Sequence, residues 1–293
     1  MVYLIYHRMD LDGLCSLAIA MDMLNKRHTE YKAFGYHYGD PIDFTQFVDT
    51  KHFVFMDVFP SPYEEMYEKF KAICPYITVL DHHKTFIESP VSKLVNGMMT
   101  TDYAGCALTW KWFHNEPMPD FVSLLERYDR WDNKDEDWET EILPFQAGAK
   151  ALLRDPTKEW GRWQELFDGC GTWDIMLRGK VTLDHERARS EKVLSNNSFS
   201  ATFNGLRVIA CNDGTFSSQL FESKWDEGKY DAMLGFCIRA NGKVSVSLYA
   251  TADNIDCTPV VKLYGGGGHA HACGCMMTVE EFFRDLKIQE DIK

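Results

Sequence analysis

Val2-Tyr3-Leu4-Ile5-Tyr6-His7-Arg8-Met9-Asp10-Leu11-Asp12-Gly13 is a strand-forming run that breaks into a loop carrying one histidine and two aspartates. The residues that follow, Leu14 to Leu24, are rich in Leu, Ala, Ile and Met and predict a helix. Gly13 permits the tight turn between the two. The same pattern recurs twice. Phe53-Val54-Phe55 leads into Met56-Asp57, and Ile77-Thr78-Val79-Leu80 leads into Asp81-His82-His83. Strand and helix in alternation imply βαβ units and a parallel sheet. The carboxyl ends of such strands line a common crevice, so these motifs should converge. Carboxylates gathered there repel one another unless a cation neutralises them, which makes a divalent metal site the leading explanation.

Outward from these motifs, Tyr31 to Tyr36 reads as a strand, Ser61-Pro62 opens a helix to about Ala72, and Ala104–Phe113 and Phe121–Arg127 read as helices. The second of these delivers Tyr128-Asp129-Arg130-Trp131. Residues 133–180, with Trp138, Trp160, Trp163 and Trp173, read as short helices packed on the first domain. Val181 to Leu194 is charged and helix-prone, and serves as a connector. Beyond it, Leu206–Cys211, Ala232–Arg239 and Lys243–Ala250 read as strands. Asn241-Gly242 is a two-residue hairpin signal between the last two. Thr258–Tyr264 and Val279–Leu286 close the chain as helices. The expected fold class is α/β: an N-terminal domain with a mostly parallel sheet flanked by helices, a smaller C-terminal α/β domain, and a metal cleft between them. The expected boundaries are 1–180, a linker helix over 181–200, and 201–293.

The 293 residues give ample core for two domains, and 45% hydrophobic with 26% charged residues is ordinary globular composition. No apolar run approaches the roughly twenty residues of a membrane span. The first strand begins at Val2, so no cleavable signal peptide is expected. Nine scattered cysteines point to a reduced, cytoplasmic protein rather than a disulfide framework. A net charge of −13, from 31 basic and 44 acidic residues, argues against a long duplex as partner. Small or short phosphate substrates remain, because bound cations invert the local field.

Each motif has a plainer reading. Asp10 or Asp12 could cap a helix, and Asp57 could cap a turn. Asp129 could pair with Arg127 or Arg130. Against these stands the combination of imidazole and carboxylate, which suits Mn²⁺. Adjacent histidines 82 and 83 would point to opposite sides, one toward metal and one toward a substrate phosphate. Four consecutive glycines, 265–268, precede His269. Their backbone N–H groups could approach an anion closely, though a linker is the bland alternative. Cys273 and Cys275 are better read as small residues alternating in a strand than as thiolate ligands.

Taken together, residues 7–13, 57, 81–83 and 129 resemble the four motifs of the DHH phosphoesterase superfamily. Gly266-Gly267-Gly268-His269-Ala270-His271-Ala272-Cys273-Gly274 resembles the glycine-histidine signature of its associated C-terminal domain. The resemblance implies two Mn²⁺ ions, with Mg²⁺ or Co²⁺ as alternatives. His7, Asp10 and Asp57 would hold one ion, while Asp12, Asp57, His82 and Asp129 would hold the other. His83 would lie near the scissile phosphate, with Asp81 assigned to the catalytic group beside it. Gly266, Gly267, Gly268 and His269 would grip a terminal phosphate or nucleotide. Many relatives carry an arginine in a Ser-Leu-Arg-Ser strand, where this chain reads Ser247-Leu248-Tyr249-Ala250. Tyr249 cannot pair bidentately with phosphate, so Tyr249, Ser217, Ser218 and Gln219 become substrate-contact candidates.

The function implied is a phosphodiesterase that hydrolyses short oligonucleotides to mononucleotides. Two rivals stay open: the same chemistry on cyclic dinucleotides or 3′-phosphoadenosine 5′-phosphate, and a nucleotide sensor with a vestigial cleft. Homodimerisation is open as well.

Overall fold

The computed structural model describes residues 1–214, 217–252 and 254–289. The chain divides into two compact units, Met1–Leu183 and Asp184–Lys293. The first contains β1 (Val2–His7), α1 (Leu11–Lys26), β2 (Tyr31–Tyr36), β3 (His52–Met56), α2 (Tyr63–Ile73), β4 (Ile77–Asp81), α3 (Lys84–Ile87) and β5 (Asn96–Met99). Helices α4 (Gly105–Phe113), α5 (Asp120–Asp129), α6 (Leu143–Leu152) and α7 (Gly161–Phe167) follow. The connector is longer than its charged portion suggests. Helix α8 runs over Thr172–Asn197, because Trp173-Asp174-Ile175-Met176-Leu177 continues the helical pattern toward the N-terminus.

The five strands pair in the order β2-β1-β3-β4-β5, all parallel. Alternate residues serve opposite faces, and both faces are buried. Tyr3, Ile5, Phe53, Phe55 and Val79 join Phe70 of α2 in an aromatic core. Leu4, Tyr6, Val54, Met56 and Leu80 meet Leu17 and Ala20 of α1 and Leu108 of α4. Burial on two sides explains why these strands read as nearly unbroken apolar runs. Each fully buried Phe contributes about 1.5–3 kcal/mol of hydrophobic transfer. Strands β2 and β3 flank β1 on opposite sides, so the strand order reverses at β1, where open α/β sheets leave a crevice.

The second unit contains β6 (Ser198–Phe203), β7 (Leu206–Asn212), β8 (Ala232–Ile238), β9 (Val244–Tyr249), α9 (Thr258–Lys262), β10 (Gly267–His269), β11 (Ala272–Met277), α10 (Val279–Asp285) and β12 (Leu286–Ile288). Its sheet has the order β10-β11-β9-β8-β7-β6-β12 and is mixed, with only β7 and β8 parallel. The β8–β9 hairpin differs from the expected two-residue turn. Gly242 has φ +75° but Asn241 is not left-handed, and Gly242 N–H donates to the Arg239 carbonyl. The connection is a type I turn followed by a left-handed glycine, not the doubly left-handed turn that Asn-Gly favours.

No helix among the described residues is long and apolar enough to cross a membrane. All nine cysteines are free, and only Cys170 is exposed.

Candidate metal centre

Strand register builds the centre. Met56 lies level with Tyr6 on β1 and with Leu80 on β4, which puts Asp57 level with His7 and Asp81. The Asp57 N–H donates to the Leu80 carbonyl at 2.8 Å. Asp57 itself adopts φ +58°, a left-handed backbone that costs a residue with a Cβ and clusters at functional sites. Its carboxylate is buried between two groups of side chains.

On one side, His7 Nδ1 lies 2.6 Å from Asp10 Oδ2 and 3.5 Å from Asp57 Oδ2. On the other, His82 Nε2 lies 3.3 Å from Asp57 Oδ1, 3.4 Å from Asp129 Oδ2 and 3.8 Å from Asp12 Oδ2. Each trio, His7-Asp10-Asp57 and Asp12-His82-Asp129, presents ligand atoms within 4.8 Å of one another, as does Asp57-His82-His83. His7 Nδ1 and Asp57 Oδ1 are buried yet make no hydrogen bond, despite these short approaches. Misaligned donors and acceptors around a common point are what a cation would reconcile, so the donor set fits divalent metal.

The electrostatics agree. Burial pulls the His7 imidazole down, but the Asp10 and Asp57 carboxylates outweigh it and raise its pKa to about 10. His82 is likewise raised to about 10 against its burial by Asp57, Asp12 and Asp129. Burial and the Asp57 charge push Asp12 up to about 7. Burial and Asp12 do the same to Asp129. Without added positive charge this cluster resists full ionisation.

Capping and ligation turn out to be compatible. Asp10 caps α1 through Oδ1, which accepts the Gly13 N–H at 3.0 Å, while Oδ2 faces His7. Asp12 accepts the N–H groups of Gly105 and Cys106 at 2.7 Å each, so the N-terminus of α4 fixes its carboxylate. The plainer reading of Asp129 fails: Arg127 pairs with Asp135 and Asp137, and Arg130 with Glu126 and Asp132. Asp81 is wholly buried, and its Oδ1 accepts both the His83 N–H at 3.0 Å and His83 Nδ1 at 2.7 Å. That arrangement orients the imidazole and leaves Nε2 outward. Burial opposes protonation of His83, but Asp81 overrides it and raises its pKa.

Three contributors were not among the expected residues. His37 Nδ1 lies 3.1 Å from His7 Nε2, and the His37 N–H is held by Asp40 Oδ2 at 2.8 Å. Tyr38 is 37% exposed and contacts the rings of His7 and His83 at 5.7 and 5.9 Å. Both residues follow β2, so the rule that strand C-termini line the crevice would have found them. Gly105 is the third: a Cβ there would sit 2.6 Å from Asp57 Cβ and 2.8 Å from Asp12 Oδ2.

The other expected residues lie in the second unit. Gly266, Gly267 and Gly268 do not form a free anion loop; Gly267–His269 is a strand paired with β11. A Cβ at Gly266 would meet Gly274 O at 2.3 Å, and one at Gly268 would meet Ala272 O at 2.6 Å, so close strand approach demands glycine there. Tyr249 is half-buried beside Met233, and Gln219 is exposed in a short 3₁₀ turn over Ser218–Lys224. The His269 side chain lies outside the described residues.

No protein-family model matches the chain. Three solved structures share its fold across 97% of its length. They are the pGpG-specific phosphodiesterase PggH from Vibrio cholerae (TM-score 0.58, 12% identity, 96% of that chain) and an exopolyphosphatase-related protein from Bacteroides fragilis (0.53, 14%, 89%). The third is RecJ in complex with Mn²⁺ from Thermus thermophilus (0.50, 14%, 50%). The fold is that of the DHH phosphoesterases. In sequence, the uncharacterized protein R106 of Acanthamoeba polyphaga mimivirus is 24% identical over 261 residues. That match takes in 82% of this chain but spans little more than half, 57%, of the viral protein. In this DHH fold the acid and histidine motifs occupy the C-terminal edge of the parallel sheet.

Proposed function

We propose that the protein is a metal-dependent phosphodiesterase that cuts short oligonucleotides to mononucleotides. Residues 1–180 carry the catalysis, and 201–293 bind the substrate. The observation that carries this reading is Asp57: one buried carboxylate reaches His7 with Oδ2 and His82 with Oδ1, joining two ligand groups. His7, Asp10 and Asp57 hold one divalent ion, and Asp12, Asp57, His82 and Asp129 hold the second. Mn²⁺ is preferred for the mixed donors and Mg²⁺ or Co²⁺ is tolerated. When bound, a pair of such ions supplies Lewis-acid charge to a phosphoryl group and acidifies water.

The chain's own residues do the rest. Asp81 holds His83 by Nδ1, so Nε2 is free to donate to a phosphate oxygen or to the departing hydroxyl. Asp81 is thus a positioning residue and His83 the group that meets substrate. Gly266–His269 and Tyr249 contact the terminal nucleotide. PggH is named for a linear dinucleotide, which supports short substrates. The nine free cysteines fit work in a reducing cytoplasm.

The test is turnover of pGpG by the purified protein in Mn²⁺, beside a long single strand, a cyclic dinucleotide and 3′-phosphoadenosine 5′-phosphate. The linear dinucleotide should be the best substrate. Asp57→Asn should lose at least about 10³-fold in rate and retain less metal. Release of no mononucleotide with Mn²⁺, Mg²⁺ or Co²⁺, or an unchanged Asp57→Asn variant, overturns the reading.

A further inference from the structure

Helix α5 ends at Asp129, and the turn that stops it is unusual. Trp131 N–H donates to the Tyr128 carbonyl and Asp132 N–H to the Arg127 carbonyl, both at 3.0 Å, and Trp131 has φ +60°. These bonds define a Schellman cap, whose left-handed position is usually glycine because a Cβ is disfavoured there. A bulky aromatic at that point is a backbone outlier that needs a reason.

Local packing explains only part of it. The Tyr128 and Trp138 rings are parallel, 5.7 Å apart and tilted by 3°. Trp131 meets both at steep angles, 68° and 69°, with centroids 6.0 and 5.2 Å away. Neither of these neighbours lies flat on the indole, and 49% of Trp131 remains exposed. Arg127, through its pairs with Asp135 and Asp137, fastens the loop just beyond. The indole therefore stands in a braced position two residues from Asp129, within about 7 Å along the backbone.

We propose that Trp131 is a stacking platform for a nucleobase of the substrate, at the Asp129 side of the metal centre. The proposal rests on the phosphodiesterase reading and adds to it: the substrate is gripped by a base near the scissile phosphate as well as by its phosphates. An exposed indole beside a phosphodiester site has the surface for this. Base–aromatic stacking tolerates any base, and losing one stack weakens binding roughly 5- to 150-fold.

The test uses Trp131→Gly and Trp131→Phe in the full-length Mn²⁺-loaded protein. Glycine suits the cap, so Trp131→Gly should fold and bind Mn²⁺ as the wild type does. Two substrates are compared: pGpG, and an analogue with one base replaced by hydrogen. The expected result is a KM for pGpG raised roughly tenfold or more in Trp131→Gly, near wild type in Trp131→Phe, and unchanged for the analogue lacking the stacked base. A second readout needs no turnover: a dinucleotide carrying 2-aminopurine should be quenched on binding wild type and not on binding Trp131→Gly. Equal KM changes for both substrates, or equal quenching by both proteins, overturns the platform. Wild-type protein that quenches 2-aminopurine through Trp131 but hydrolyses nothing overturns the phosphodiesterase reading alone.

Discussion

As sequence, the acid and histidine motifs of the first unit and the glycine run of the second unit are of one kind: short, unusual stretches beside apolar segments. Their physics differs. In the crevice, buried His7 Nδ1 and Asp57 Oδ1 have no hydrogen-bond partner, and the Asp12 and Asp129 carboxylates are pushed up by burial and by neighbouring carboxylates. In the glycine strand, Gly267 and Gly268 pair in register with Gly274 and Cys273, and the missing Cβ atoms leave room for neighbouring backbone. A motif whose polar atoms stay unmatched after folding calls for a ligand. A motif whose peculiarity is used up by sheet pairing has its structural reason already.

Four measurements would break or sharpen that contrast. The largest effect is expected from Gly105→Ala, because the new Cβ would crowd both Asp57 and Asp12. Mn²⁺ affinity measured by calorimetry should fall on the order of 100-fold, with about 1–3 kcal/mol of stability lost in urea. Unaltered affinity would separate α4 from the metal centre. Gly268→Ala is the matched control in the other unit. It should also cost about 1–3 kcal/mol, since φ there is +133° and Ala272 O blocks the Cβ, while Mn²⁺ affinity holds. A drop in affinity would show that the two motifs are coupled.

His37→Ala comes next. With His7 Nε2 no longer held, Mn²⁺ should bind about 10- to 100-fold more weakly, and His37→Gln should recover part of the loss. Equal affinities for wild type and His37→Ala would reduce His37 to a surface residue.

The smallest effect lies beneath the crevice, where Tyr6 Oη donates to Asp155 Oδ2 at 2.6 Å. Burial works against ionisation of Asp155, but the Thr157 and Tyr6 hydroxyls and the Thr157 N–H outweigh it and lower its pKa. A carboxyl lower in the folded than in the unfolded state adds stability above its unfolded pKa of about 4. That stability is lost as pH falls through the lower folded value. Asp155→Asn should therefore cost about 1 kcal/mol at neutral pH, with the two unfolding curves converging in acid. A constant gap down to about pH 2 would contradict the assignment.

Much of the first unit was legible. Strands β1, β3 and β4 announce themselves because burial on both faces demands unbroken apolar runs, and the residues after them must fall at one sheet edge. The ligand candidates follow from that rule alone. His37 and Tyr38 obey it too, but β2, with Lys32 and Gly35, is weakly apolar and does not mark its own end. Gly105 and Trp131 were not legible, since each owes its importance to atoms brought near from elsewhere in the fold or to a cap geometry that no residue pattern announces. In the second unit, Asn241-Gly242 marked the turn, but its type was decided by how β8 and β9 end.

The sequence by itself determined where strands stop and which side chains stand at their ends, because apolar periodicity and residue chemistry are local properties. Only the tertiary structure decided that Asp57 serves two groups at once, that α4 grips Asp12, and that glycines 266–268 are spent on pairing. Those outcomes depend on which backbone arrives within a few ångströms of another, and distance through space is not written along the chain.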